Sequence, residues 1–191
     1  MKSNENIKLM GTTDRHSNLV DGFAGELRPL RKKGDLEYYS NTMALVYDED
    51  RQLIEVDGLS KVEENQLVRG LSKMQTIEPD LLVFQHNAYL TNFSGTRKAG
   101  CPDLVIEVWS EYNKPEHRAD KFGIYSSSPA TEHWYLEQKC DILECYLGKK
   151  RLPDQHLRNI LKTQSGLEFD LTDLQTFDDE QWNEFIKYGF K

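Results

Sequence analysis

Residues 100–110 read GCPDLVIEVWS, and this stretch has the pattern of a buried β-strand. Because successive side chains of a strand alternate between its faces, one face is purely aliphatic, with Leu104, Ile106 and Val108. The other face carries two carboxylates, Asp103 and Glu107, beside Val105 and Trp109. Burying a carboxylate without partners is costly. We therefore expect Glu107 to have a partner supplied by another part of the chain.

Length and composition define the class of protein. The chain has 191 residues, enough for one domain with a sizeable core, and 29% of them are charged. A net charge of −8 argues against a protein that coats DNA through a broad basic surface, but it allows an enzyme with a local basic rim. No apolar run approaches the ~18 residues of a membrane span, and the N-terminal segment lacks the hydrophobic core of a secretory signal.

The cysteine pattern argues against a disulfide framework or a zinc site. The three cysteines are odd in number and show no paired CxxC spacing: Cys101, Cys140 and Cys145. We interpret them as small core residues, and they favour a reducing cytoplasm as the location of the protein.

The spacing of apolar residues and the turn residues predict an α+β or α/β core with a central mixed sheet. Helices are predicted at 14–28, 58–74, 115–128 and 178–191. Strands are predicted at 76–86, 102–109, 132–138 and 141–148, with a β-hairpin over 43–57. Residues 1–12 are expected to be flexible and 87–100 to form a loop. The whole chain, 1–191, is interpreted as a single domain.

The dimensions of a sheet decide which carboxylates can act together. Asp103 and Glu107 share a face, but four residues separate them by about 13 Å along a strand. A residue on a neighbouring strand lies only about 5 Å away, so Asp80 comes beside Glu107 if the strands 76–86 and 102–109 pair. Two carboxylates from adjacent strands, completed by water, are a usual way to hold Mg²⁺.

A cation is predicted near the same point. Lys121 lies on the helix that follows the strand, and it shares one helical stripe with His117 and Tyr125. A lysine there can position the attacking water or offset charge that develops on a phosphate.

These residues carry a family resemblance. The segment resembles the putative restriction endonuclease family of the PD-(D/E)xK nuclease superfamily, which is abundant in cyanobacteria. The matching motifs are Pro102-Asp103, Glu107-Val108-Trp109-Ser110, Lys121, Tyr125, and Glu132-His133-Trp134. The Pro79-Asp80 strand matches as well, and the first helix, which contains His16, matches more weakly. The resemblance covers about 79–147.

The resemblance implies a restriction-endonuclease-like α+β fold, with a central mixed β-sheet flanked by helices and core order α-β-β-β-α-β. It implies Asp80 and Glu107 as metal ligands and Lys121 as the catalytic lysine. In most of the superfamily that lysine lies two residues after the glutamate, where this chain has Trp109. The lysine is therefore displaced to the following helix, as in the resembled family.

Three departures place the chain at an edge of the family. His117 stands where the family usually has Asp, and Pro129 and Thr131 stand where it usually has Gly and Pro. The N-terminal segment is irregular. Four further residues are accessory candidates: Asp103, Glu26, His117 and Tyr125. For each of them an ordinary structural role is the alternative, such as a turn cap for Asp103 or a solvated helix position for Glu26.

The expected function is hydrolysis of phosphodiester bonds in DNA by a Mg²⁺-dependent endonuclease, with Mn²⁺ as a substitute metal. Since one active site of the superfamily usually cuts one strand, a homodimer is expected for cleavage of both strands. The alternative is a catalytically inactive member of the same fold that binds nucleic acid or protein. Hydrolysis of RNA or of a nucleotide is a third possibility.

Overall fold

The structure is a computed structural model that describes residues 4–40, 43–110 and 112–174, with side chains described from residue 15 onward. Its helices are α1 (Asn4–Lys33), α2 (Lys61–Gly70) and α3 (Pro115–Tyr125). The strands before α3 are β1 (Glu37–Ser40), β2 (Ala44–Tyr47), β3 (Gln75–Ile77), β4 (Leu81–Phe84), β5 (Tyr89–Thr91), β6 (Arg97–Gly100) and β7 (Leu104–Trp109). The strands after α3 are β8 (Glu132–Glu137), β9 (Ile142–Leu147), β10 (Lys150–Arg151), β11 (Gln155–His156), β12 (Leu161–Lys162) and β13 (Glu168–Phe169).

A large mixed sheet organises the molecule. Its strand order is β1-β4-β7-β8-β9-β10, and β11 also pairs with β9. All described pairs in this sheet are antiparallel except β7 with β8, which are parallel and are connected through α3. Along the chain, its central elements follow as α1, β1, β4, β7, α3, β8. The predicted α+β fold with a central mixed sheet is confirmed.

The two faces of the large sheet are covered by different helices. Buried residues of α1 pack on the aliphatic face of β7 and its neighbours, and they include Leu19, Phe23 and Leu27. The other face packs against α3 through Ile124 and Tyr125. Because Glu107 points to this second face, it lies under α3 rather than under α1. The alternation of side chains along β7 therefore places Glu107 on the face that α3 covers.

The first helix is longer than predicted. It begins at Asn4 rather than at Asp14, so residues 4–12 continue it, and it runs past Pro29 to Lys33. A proline inside a helix removes one helical hydrogen bond, and its ring crowds the carbonyl four residues earlier. Packing of the apolar stripe on the sheet compensates for that loss. Residues 1–3 lie outside the described part of the chain, as does the predicted helix at 178–191.

The predicted strand 76–86 is wrong in one respect: it is two strands in two sheets. β3 belongs to a small sheet of order β3-β2-β6-β5, whereas β4 belongs to the large sheet. Pro79 lies between them and has no amide hydrogen for a ladder. The interruption at Pro79 places Asp80 at the very start of β4.

Two other predictions around the small sheet are corrected. The expected loop 87–100 contains the hairpin β5–β6, which is closed by Gly95 at φ 74° and by Asn92 Oδ1, the acceptor of two backbone N–H groups. The expected hairpin over 43–57 keeps its turn but only one bridge, between Tyr47 and Leu53. β3 pairs along one edge of β2, and β6 takes Ala44 and Leu45 on the other, so little of that second edge is left for a hairpin strand.

The remaining predictions near the site agree with the structure. Helix α2 is confirmed within 58–74, and it starts at a capping box in which Ser60 and Glu63 bond each other's backbone. Helix α3 and the β8–β9 hairpin lie where the sequence placed them. No helix in the described ranges is long and apolar enough to cross a membrane.

Candidate active site

Strand register brings the first two predicted site residues together. Leu81 of β4 pairs with Ile106 of β7, so the preceding residue, Asp80, comes opposite Glu107. The Val108 backbone N–H donates to Asp80 Oδ2 at 2.7 Å, which ties the aspartate to the strand that carries Glu107. Asp80 therefore has a fixed position at the end of β4.

Glu107 is buried, with 1% of its surface exposed, and three hydrogen bonds hold its carboxylate. Lys121 Nζ lies 2.8 Å from Oε1 and 2.7 Å from Oε2, and the Tyr125 hydroxyl donates to Oε1 at 2.6 Å. Burial raises the pKa of Glu107 to about 7; Lys121 opposes this shift and Asp80 adds to it. The expected partner of the buried carboxylate is therefore Lys121, one helical turn before Tyr125.

The lysine and the tyrosine are held differently. Lys121 Nζ also donates to the backbone carbonyl of Glu78 at 2.9 Å, so the amine bridges α3 and the segment before β4. Tyr125 is fully buried, and burial, reinforced by Glu107, raises the pKa of its hydroxyl well above the usual value. The tyrosine is therefore a fixed neutral donor, whereas the lysine brings positive charge.

His16 of α1 also belongs to this site, although it is not among the residues predicted for it from the sequence. Its Nε2 lies 3.3 Å from Asp80 Oδ1, and the hydrogen bond to Asp80 raises the pKa of the imidazole against the opposing effect of burial. The weak match of the first helix to the family was the only signal. Nothing local in the sequence shows that this helix reaches the start of β4.

Three accessory candidates lie apart from the carboxylate pair. Glu26 Oε2 accepts a hydrogen bond from the Asp170 backbone at 3.4 Å, near the end of the described chain. His117 is exposed on α3, one turn before Lys121. Asp103 directly precedes β7, whereas Glu107 lies four residues further along, toward the other end of that strand. The structure therefore brings Asp80, Glu107, Lys121 and Tyr125 together, and it leaves Glu26 and Asp103 elsewhere.

Asp103 organises a turn. Its Oδ2 accepts three consecutive backbone N–H groups, from Gln85 at 2.7 Å and from His86 and Asn87 at 3.1 Å each. These bonds fix the chain just after β4. This arrangement supports the alternative interpretation of Asp103 as a turn cap.

The Asp103→Ala substitution tests this role. We expect it to lower the free energy of unfolding by roughly 3 kcal/mol, because three backbone donors lose a charged acceptor. The hydrolytic activity that the family resemblance implies should stay within about twofold of wild type in the remaining folded protein, since about 13 Å of strand separates Asp103 from Glu107. Urea unfolding and an activity assay at a temperature where the variant is folded measure the two effects. A stable but inactive variant would return Asp103 to the site.

Asp80 and Glu107 keep acceptor positions that no described group uses. An ionised carboxylate has about four acceptor sites. Asp80 uses two of them, one on each oxygen, for His16 and Val108. Glu107 uses three, two on Oε1 and one on Oε2. In the described chain no group of three or more His, Cys, Asp or Glu side chains is placed to hold a metal. Two carboxylates nevertheless match Mg²⁺, which usually keeps several waters.

The fold and the site together indicate a class of protein. The arrangement of a mixed sheet between α1 and α3, with acidic residues on two adjacent strands, is restriction-endonuclease-like. A model of the Uma2 family, described as "putative restriction endonuclease", matches residues 3–174, and the chain belongs to this family.

Among solved structures, the chain resembles a putative nuclease from Anabaena variabilis. The TM-score is 0.57 over 84% of this chain and 81% of that one, at 10% sequence identity, so the likeness concerns the fold. No curated protein matches the chain.

Proposed function

We propose that the protein is a metal-dependent endonuclease that hydrolyses phosphodiester bonds in DNA. The observation that carries the proposal is the meeting of Asp80, Glu107 and Lys121 at the start of β4. Membership in a family described as putative restriction endonucleases supports the same reaction class. A homodimer, with one site for each strand, would allow cleavage of both strands.

Each side chain has a distinct task in this proposal. Asp80 and Glu107 would hold the cation, with Oε2 of Glu107 as the oxygen that retains the most room. A bound Mg²⁺ would supply an activated water and neutralise charge on the phosphate. Lys121 donates hydrogen bonds from a positive amine, and it would orient the attacking water or the phosphate oxygen. Tyr125 keeps the Glu107 carboxylate in one orientation.

The proposal is tested by the metal dependence of cleavage. Supercoiled plasmid should be nicked with Mg²⁺ or Mn²⁺ and left intact with EDTA. The Asp80→Asn substitution keeps the shape and one acceptor oxygen for the Val108 N–H, but it removes the negative charge. We expect it to lower the cleavage rate at least about a hundredfold, because the stabilisation by a bound metal is worth several kcal/mol.

A matched control is Glu144→Gln, which removes an exposed carboxylate from β9, two strands away from β7 in the same sheet. This variant should cleave as wild type does. Cleavage that survives Asp80→Asn, or that is unaffected by EDTA, would contradict the site. If no metal supports cleavage of plasmid by the wild-type protein, the alternative of an inactive binding member is favoured.

A further inference from the structure

A cleft of about 390 Å³ opens beside the lysine of the candidate site. One wall comes from the small sheet, with Tyr47 and Thr76, and the other from α3, with His117 and Lys121. Since Lys121 lines the cleft and also bonds Glu107, the cleft lies beside the residue that we place at the scissile phosphate. The proposed roles of Asp80, Glu107, Lys121 and Tyr125 in hydrolysis do not involve the other residues of this cleft.

The volume of the cleft limits the size of the ligand that it can enclose. Sites of roughly 300 Å³ and more enclose small molecules. A single nucleotide is of this size, whereas a base-paired duplex is far too wide to enter. Nucleic-acid enzymes that act in such a space take an unpaired nucleotide or extrude one from the duplex.

The walls offer fixed polar groups. Asn113 accepts two hydrogen bonds from Ser110 on its Oδ1, at 2.7 and 3.0 Å, and no described residue bonds its Nδ2, which leaves two donors. Arg118 is held in place by Glu137 and by the Ser110 carbonyl. His117 has no partner among the described residues. The cleft therefore combines donors for base edges with three cations, Arg51, Arg118 and Lys121, against two carboxylates, Glu78 and Asp120. Arg51 is paired with Asp120, and Arg118 is paired with Glu137.

The aromatic side chains indicate where a base can stack. Trp109 lines the cleft, but its ring already contacts two side chains: the Arg118 guanidinium lies over it at 4.6 Å from the centroid, and the Tyr135 ring centroid lies 4.4 Å away. Tyr112 precedes Asn113 in the same loop and is 70% exposed. Its backbone N–H donates to Ser110 Oγ at 3.3 Å, which helps to fix the loop. An exposed aromatic ring on such a loop is suited to stacking on an unpaired base.

We propose that this cleft binds one unpaired nucleotide next to the scissile phosphate, with the Tyr112 ring stacked on an adjacent base. The preferred substrate is then single-stranded DNA, or duplex DNA at unpaired positions. This inference rests on the proposed nuclease function for the scissile position, but binding of the nucleotide is separate from cleavage.

Binding is measured first, by fluorescence anisotropy with a labelled 12-nucleotide single strand and with the matching 12-base-pair duplex, in EDTA. The wild-type protein should bind the single strand at least tenfold more tightly. Thr76→Phe, which fills the cleft from β3, and Tyr112→Ala should each weaken single-strand binding about tenfold, whereas Tyr112→Phe keeps the ring and should bind normally.

The controls are Val62→Phe, which adds the same bulk on the exposed side of α2, and Phe93→Ala, which removes a ring that is 86% exposed on the β5–β6 turn. Neither should change binding. Melting temperatures near that of wild type show that the variants are folded. Duplex bound as tightly as single strand, or Thr76→Phe and Tyr112→Ala both binding normally, would overturn the proposal.

Cleavage separates this inference from the proposed function. Metal-dependent cleavage of duplex and single strand at equal rates, unchanged by Thr76→Phe, would refute the nucleotide cleft and leave the nuclease in place. Selective single-strand binding that Thr76→Phe removes, without cleavage under any metal, would support the cleft and refute the nuclease.

Discussion

The Glu107→Gln variant is expected to lose metal-dependent cleavage and to be at least as stable as wild type. Glutamine keeps the size of the side chain and can still accept from Tyr125, but it gives a metal no charge. The sign of the stability effect follows from the pKa of Glu107, about 7 in the folded protein. Because this lies above the ordinary value of 4.5, the folded state binds the extra proton and loses stability as pH rises through 7.

Removing the lysine should have the opposite effect on stability. Lys121→Met leaves the buried Glu107 carboxylate without its counter-charge. We expect a loss of about 2 kcal/mol in the free energy of unfolding at pH 8, which is below the usual cost of breaking a buried pair because Lys121 is partly exposed. The loss should shrink at pH 5.5, where Glu107 takes up a proton. Cleavage should be lost as well.

Urea unfolding at both pH values, with plasmid cleavage on the same preparations, measures the two variants. The matched control is Lys162→Met, which breaks an ion pair with Glu168 in which both side chains are more than half exposed. Exposed pairs contribute at most about 1 kcal/mol, so this control should be close to wild type. Cleavage by Glu107→Gln, or a Lys121→Met variant as stable as wild type at pH 8, would contradict the roles given to this pair.

The positions of the main site residues could be predicted because they depend on short-range geometry. Strand rise separates Asp103 from Glu107, and the spacing of paired strands brings Asp80 to Glu107. Both are properties of two adjacent segments. Lys121 is different, because helical spacing alone does not distinguish it from a solvated lysine, and only the family resemblance selected it. Its bonds to Glu107 now give a geometric reason for that selection.

The sequence could not show contacts between distant segments. His16 meets Asp80 across 64 positions of the chain, and that contact depends on how α1 lies on the sheet. The division of 76–86 between two sheets depends likewise on which strands have free edges, which only the assembled fold decides. The three backbone donors on Asp103 come from a turn whose shape follows from the same assembly. Local patterns gave no signal of these arrangements.

The second prediction is that His133 of β8 makes the folded protein less stable in acid. The imidazole is fully buried; Nε2 lies 2.8 Å from the Gly148 carbonyl and Nδ1 lies 2.9 Å from the Tyr135 hydroxyl. In the neutral ring, Nε2–H donates to the carbonyl and Nδ1 accepts from the hydroxyl. Burial lowers the pKa of His133 to about 4, and the hydrogen bond to the Gly148 backbone opposes this shift. A protonated ring would lose the Nδ1 acceptor and place a charge among aromatic side chains.

The sign of the pH effect follows from this pKa. The unfolded chain takes up the proton near pH 6.5 and the folded protein only near pH 4, so the contribution of His133 to stability is complete above 6.5 and is lost as pH falls toward 4. We expect the free energy of unfolding to fall by about 2 to 3 kcal/mol from this residue between pH 7.5 and 4.5.

The measurement compares wild type with His133→Gln, which keeps a donor for Gly148 but does not titrate. The difference between the two unfolding free energies should change by about 2 to 3 kcal/mol over this range, with the variant losing less stability in acid. The matched control is His86→Gln, at an exposed histidine of the loop after β4, and it should follow wild type at every pH. If His133→Gln also runs parallel to wild type, burial does not lower the pKa of His133 in the folded protein, and acid lability must come from the carboxylates instead.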